Sequence, residues 1–212
     1  MRGSGGSRDL QHPHGPFSVA QFAADAGALL THLGAAPAHL VGLSMGGMIA
    51  FQLAVDRPEL VRSLTIVNSG PALVAKTPRE HLLLFTRRVL ARWLGPVRMA
   101  KLLAPKLFPK PEHEALRAEF IAGFAQNEPK AYLATTLALM GWSVDERIGA
   151  ITAPTLVVSA DADYTPVSAK QAYARRMQRA EVVVVPDSHH ALPAEAPERF
   201  NAVLEQFLRR QG

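Results

Sequence analysis

His39-Leu40-Val41-Gly42-Leu43 and Ser63-Leu64-Thr65-Ile66-Val67 are apolar runs too short for helices. Between them, residues 45–55 carry apolar positions at helical spacing, and the pattern stops before Pro58. Strand, helix, strand in that order leaves few topologies open, because two parallel neighbours need a crossover and a helix supplies it. The same order returns late in the chain. Thr155-Leu156-Val157-Val158-Ser159 reads as a strand, residues 167–177 as a helix, Val182-Val183-Val184-Val185 as a β-branched strand and residues 197–209 as a closing helix. The expectation is an α/β fold on a parallel sheet with four strands.

Two stretches stand outside that alternation. Residues 1–15 are rich in Gly, Ser, Pro and His and read as loop. Ser18 and Gln21 then form a capping box, Phe22, Ala26, Leu29, Leu30 and Leu33 follow at helical spacing, and Gly34 ends the helix. Residues 71–147 show no strand, only helical periodicity punctuated by Pro96, Pro105, Pro109, Pro111 and Pro129. The division expected is a core over 1–70, a helical cap over 71–147 and the rest of the core over 148–212.

With 48% hydrophobic and 19% charged residues, the chain is globular rather than disordered. No apolar run approaches the roughly 20 residues that span a bilayer, and the first residues carry no signal-peptide apolar stretch. The absence of cysteine excludes disulfides, thiolate nucleophiles and zinc–cysteine sites, and a cytoplasmic location is expected. The net charge of +5 is unevenly placed: residues 71–110 hold nine basic side chains against one acid, Glu80. Interleaved with Leu and Val at helical spacing, they read as a solvated helical face. Nucleic-acid binding is not expected and membrane-surface binding is a minor alternative.

Gly42-Leu43-Ser44-Met45-Gly46-Gly47 matches G-x-S-x-G and sits between a strand and a helix. A serine on so sharp a turn projects its oxygen above the sheet edge, and glycines at the flanking positions relieve crowding. The helix N-terminus beyond it favours negative charge, and Met45 N–H is the expected oxyanion donor. The plain alternative is a serine that merely caps the helix. Such a nucleophile needs a base and the base an orienting acid. Asp163 and His190 each lie just beyond a strand at the same carboxyl edge, where ligands gather in open α/β sheets. His12 and His14 flank a proline in a loop and read as solvated, and His32, His39, His81 and His113 stand in no motif that gives them a ligand or catalytic acid partner.

These segments together resemble the α/β-hydrolase fold family, from about Arg2 onward. Gly42-Leu43-Ser44-Met45-Gly46-Gly47 resembles its nucleophile elbow. Pro154-Thr155-Leu156-Val157-Val158-Ser159-Ala160-Asp161-Ala162-Asp163 resembles its P-T-L-V-x-x-G-x-x-D segment, with Ala160 where glycine is usual. His190 with Glu195, Pro197 and Phe200 resembles its histidine stretch, with His189 where glycine is usual. The resemblance selects Asp163 over Asp161 and His190 over His189. Arg2-Gly3-Ser4-Gly5-Gly6-Ser7 resembles the family's R-G-x-G-x-S segment, its alternative being a linker scar, so the N-terminal strands and the usual second oxyanion donor are expected to be missing. His14-Gly15 follows that segment instead of preceding it and receives no oxyanion role. The implied activity is hydrolysis of small or medium acyl esters by Ser44, His190 and Asp163. Lactones, enol-lactones or C–C bonds are alternative substrates, and a non-catalytic binding protein or inactive fragment is the alternative of another class. Trp93, Phe108, Phe124 and Trp142 are candidates for the acyl pocket. No metal or cofactor is expected, and a homodimer covering the exposed sheet edge is.

Overall fold

The structure is a computed structural model that describes residues 2–7 and 17–211. The chain divides into two compact units. One comprises Ala23–Ala72 and Ser143–Gly212, the other Met1–Phe22 and Leu73–Trp142.

The first unit holds a four-stranded sheet in the order β1-β2-β3-β4, every pair parallel. The strands are β1 (Ala38–Leu43), β2 (Val61–Val67), β3 (Thr155–Ala160) and β4 (Ala180–Val185). All six residues of β3 are buried, as are six of the seven in β2. That is why these runs read as nearly unbroken apolar stretches: strands covered on both faces need no polar alternation. β1 and β4 are the flanks and are only partly buried. Along β1, Val41 is 49% and Leu43 37% exposed. Among the described residues, β1 pairs with β2 alone.

The crossovers and the segments flanking the sheet strands supply the covering helices. α1 (Val19–His32) is capped by Ser18, whose Oγ accepts Gln21 N–H at 3.0 Å. α2 (Met45–Asp56) buries Met48, Ala50, Phe51, Leu53 and Ala54. Gly27 lets α1 close on α2: a Cβ there would lie 3.1 Å from Leu53 Cδ1 and 3.2 Å from Leu60 Cδ1. α6 (Val167–Ala174) follows β3, and its Tyr173 meets Phe51 edge-on at 5.7 Å. After β4, the short α7 (Leu192–Glu195) leads into α8 (Pro197–Arg209). Phe200 and Phe207 of α8 are buried against Val67, Leu156, Val158 and Val185, with Val203, Leu204 and Leu208 packed beside them. Positions 200, 203, 204, 207 and 208 form one apolar helical stripe.

The second unit is helical, with α3 (Pro78–Leu107), α4 (Glu114–Ala125) and α5 (Pro129–Leu139). Thr77 and Glu80 close a capping box at the start of α3, and Pro78 occupies its first turn. α3 kinks at Gly95, whose φ of 66° and ψ of 179° are open to glycine, just before Pro96. The aromatic rings of Phe108, Phe120, Phe124 and Tyr132 make a continuous edge-and-tilt series through this unit. Residues 2–7 fold into a turn, with Gly3 N–H donating to Ser7 O at 2.7 Å. Among the described residues, no helix is long and apolar enough to cross a membrane.

Candidate active site

The three candidate residues each follow a strand of the parallel sheet and so stand at the same sheet edge. The first is Ser44, between β1 and α2, with φ 53° and ψ −116°. A non-glycine residue there carries backbone strain that must be held by its surroundings. The restraints are explicit: Ser44 N–H donates to Val67 O at 3.0 Å, and Ser44 O accepts Gly47 N–H, Met48 N–H and, at 2.6 Å, Ser69 Oγ–H. The side chain makes no capping bond to α2, so the hydroxyl is not used as a helix cap. Met45 opens the helix, where first-turn N–H groups have no intrahelical acceptor.

The flanking glycines differ from expectation at one position. A Cβ on Gly42 would stand 2.3 Å from Gly46 O, and one on Gly47 would stand 2.6 Å from Ser69 Cβ. A Cβ on Gly46 would meet nothing within 4 Å. The helix turns residue 46 to open space and residue 47 against the end of β2, so Gly42 and Gly47 are the residues that relieve crowding.

Asp163 follows β3 and His190 follows β4. Asp163 Oδ1 lies 2.7 Å from His190 Nδ1, and its Oδ2 accepts Lys170 Nζ at 2.6 Å. The side chains of Asp163 and Lys170 are fully buried and that of His190 is 9% exposed. Burial pushes the Asp163 carboxyl up, but the hydrogen bonds and charges of His190 and Lys170 outweigh it and hold the group below the ordinary carboxylate range. An ionised carboxylate only accepts, so the proton of a neutral imidazole is assigned to Nδ1 and Nε2 is left as an acceptor. Nε2 lies 2.7 Å from the Tyr164 hydroxyl, and the two rings stack at 4.1 Å with a 30° tilt. Among the described residues, no hydrogen bond joins Nε2 to the Ser44 hydroxyl.

The competing residues are committed elsewhere. Asp161 accepts the backbone N–H groups of Asp187 at 2.9 Å and Ser188 at 3.0 Å, and the bond from Ser188 is the main reason its carboxyl also sits low. The His189 ring lies 2.8 Å from Glu195 Oε1, and its backbone N–H donates to Glu195 Oε2. Glu195, legible only as part of a motif, thus braces the loop that carries His190.

Asn68 and Ser69 were not singled out from the sequence. Asn68, at φ 44°, donates Nδ2–H to His189 O (3.1 Å) and His190 O (3.0 Å) and accepts Ala160 N–H at Oδ1 (2.8 Å). Ser69 holds Ser44 O and accepts the Tyr173 hydroxyl at its own carbonyl. Through this pair the end of β2 is bonded to the Ser44 turn, the end of β3 and the His190 loop. The available signal was Asn68-Ser69-Gly70 directly after a strand, a turn composition. The candidate pocket residues lie in the helical unit. Phe108 is 4% exposed and packs against His113 and Phe120 as core, Phe124 packs on Phe120 and Tyr132, Trp93 is 76% exposed, and Trp142 is half-buried. His12, His14 and Gly15 lie outside the described residues.

Comparison with known proteins gives the site a family. The model of the alpha/beta hydrolase family matches residues 1–203, which include the Arg2 to Ser7 turn. The protein named "Putative carbamate hydrolase RutD" from Caulobacter vibrioides is 31% identical over 98% of this chain and 77% of its own length. A thermophilic esterase from Thermogutta terrifontis superposes with a TM-score of 0.85 at 26% identity, over 100% of this chain and 78% of that one. Est816, titled an N-acyl homoserine lactone degrading enzyme, is 31% identical with a TM-score of 0.77, over 97% and 80%. An elbow serine, a buried acid–histidine pair and a family match over nearly the whole length lead to one assignment: the chain belongs to the alpha/beta hydrolase family.

Proposed function

We propose that the chain hydrolyses carboxylic esters of small or medium acyl groups through an acyl-enzyme on Ser44. The observation that carries this reading is the strained, uncapped Ser44 at the same sheet edge as the buried Asp163–His190 pair. Ser44 Oγ attacks the carbonyl carbon while His190 Nε2 takes its proton. Asp163 keeps the opposite proton on Nδ1 and stabilises the imidazolium. Met45 N–H receives the developing oxyanion. The imidazolium then protonates the leaving alcohol, and water, activated by the same nitrogen, releases the acid and restores Ser44.

For Nε2 to serve as base, the Tyr164 hydroxyl must yield its hydrogen bond when substrate brings Ser44 into play. Catalytic hydrogen bonds often tighten only once substrate is bound. Esters, lactones and carbamates all present an acyl carbon to such a serine, and relatives bear names of all three kinds. Substrate choice within that class is therefore read from a panel of p-nitrophenyl acetate and butyrate, a lactone and an aryl carbamate. A fluorophosphonate should add one adduct to the wild type and none to Ser44→Ala. Ser44→Ala and His190→Ala should lose about four to six orders of magnitude in kcat on whichever substrate turns over. A folded wild type that neither labels nor turns over any of them would overturn the reading in favour of a non-catalytic binding protein.

A further inference from the structure

Lys170 belongs to no motif singled out above, yet it is among the largest fully buried side chains. We propose that Lys170 is a positioning residue of this site, whose ammonium clamps Asp163 Oδ2 so that Oδ1 alone is presented to His190. The inference rests on the hydrolase reading for its catalytic consequence but not for its geometry.

The bonds of the ammonium define the clamp. Nζ donates to Asp163 Oδ2 at 2.6 Å and to Thr165 O at 2.7 Å. Both acceptors belong to the turn between β3 and α6, and Lys170 lies within α6. One side chain therefore ties the turn to the helix that follows it. The clamp matters because the terminal torsion of an aspartate is broad and roughly two-fold, so a carboxylate held at one oxygen is loosely oriented. With Oδ2 held by a cation and Oδ1 at 2.7 Å from Nδ1, rotation breaks an ion pair as well as a hydrogen bond. As a stabilising device alone the pair is poor, since a buried ion pair is often matched or bettered by apolar residues of the same volume.

Charge adds a second effect. The ammonium and carboxylate neutralise each other, so the imidazole faces an ion pair instead of a lone anion. The other polar and charged groups facing His190 and its loop are the Tyr164 hydroxyl, the Asn68 amide on the carbonyls of His189 and His190, Asp161 on the amides of Asp187 and Ser188, the Arg199 guanidinium of α8 on the carbonyls of Pro186 and Asp187, and the His189–Glu195 pair. Removing the cation leaves the imidazole beside an uncompensated anion, which favours its protonated form. The acid limb of kcat/KM then moves to higher pH.

Three variants separate charge from hydrogen bonding: Lys170→Met removes both, Lys170→Gln keeps a donor without charge, and Lys170→Arg keeps charge. Rates are referred to sites titrated with fluorophosphonate. Lys170→Met and Lys170→Gln should move the acid limb up by about one pH unit, a loss of about tenfold at a pH below the limb, with KM within about twofold. Lys170→Arg should restore the limb. In proton NMR the low-field Nδ1–H resonance of His190 should be present in the wild type and shifted or exchange-broadened in Lys170→Met. Limbs and resonances identical to wild type in folded Lys170→Met and Lys170→Gln would overturn the proposal. Should those variants fail to fold, the unmodified protein still decides: ¹⁵N-lysine labelling should show a slowly exchanging Lys170 ammonium at pH 7, and a neutral amine would overturn the clamp. The two readings fail separately. A wild type that turns over no substrate while the resonance still responds to Lys170 sinks the hydrolase and keeps the clamp; an active wild type with indifferent Lys170 variants does the reverse.

Discussion

At the residue scale, the Tyr164 hydroxyl and the Ser44 hydroxyl are rivals for one nitrogen. Tyr164 holds Nε2 at 2.7 Å with its ring stacked on the imidazole. A hydrogen bond of this kind is worth about 0.5–1.5 kcal/mol net, so breaking it costs about two- to tenfold in rate. Tyr164→Phe keeps the ring and removes the rival donor; kcat/KM on the preferred substrate should rise by about that factor, as steady-state kinetics will show. The glycines give a second contrast. Gly47→Ala forces a Cβ to within 2.6 Å of Ser69 Cβ, disturbing the bond that holds Ser44 O, whereas Gly46→Ala meets open space. Urea denaturation should find Gly47→Ala destabilised by about 1–3 kcal/mol and Gly46→Ala unchanged or slightly more stable. The acid response follows from Asp163. A carboxyl held low in the folded state contributes stability that is present above its unfolded value, about 3.9, and lost as pH falls through the folded one. Stability plotted from pH 6 to pH 3 should therefore slope less steeply in Asp163→Asn than in wild type, even though the variant starts lower because Lys170 is left unpaired.

At the scale of elements, the strands were legible because each is a short apolar run between turn residues, and the structure extends each of them by only one or two residues, at one end. The candidate site was legible where a motif has a spacing, and the structure places its residues at the strand ends expected: Ser44 after β1, Asp163 after β3, His190 after β4. What the sequence could not give were groups whose partners come from tertiary contact. Lys170 sits in α6 where a lysine ordinarily faces solvent, and only the fold buries it against Asp163. Asn68 looks like any turn asparagine until the ends of β2, β3 and the His190 loop are brought together around it. The reading of α8 was secure for the opposite reason, since its apolar stripe is local. Phe207 sits on that stripe in the core beside Val185 and Leu156. Phe207→Ala should cost about 3–5 kcal/mol by urea denaturation. A loss under about 1 kcal/mol would show that α8 contributes little to holding the sheet.

For the whole molecule, the open question is the flank of the sheet that carries the serine. β1 has β2 on one side and, among the described residues, no strand on the other. Its exposed Val41 and Leu43 lie on that same strand, directly before Ser44. A flat edge with unpaired N–H and C=O groups and apolar side chains templates pairing with another chain, and proteins blunt such edges with charge, proline or a covering element. None of Ala38, His39, Leu40, Val41, Gly42 and Leu43 is a lysine or proline. Two copies pairing edge to edge would satisfy those groups, and closed two-fold pairs are the commonest soluble assemblies. Light scattering on a sizing column should then give twice the 22.9 kDa chain mass, and Val41→Lys should return the single-chain mass while leaving fluorophosphonate labelling of Ser44 intact. A wild type that elutes as one chain at high concentration would mean that the edge is protected some other way, and that the strain at Ser44 is held from within a single molecule by its bonds to Val67, Gly47, Met48 and Ser69.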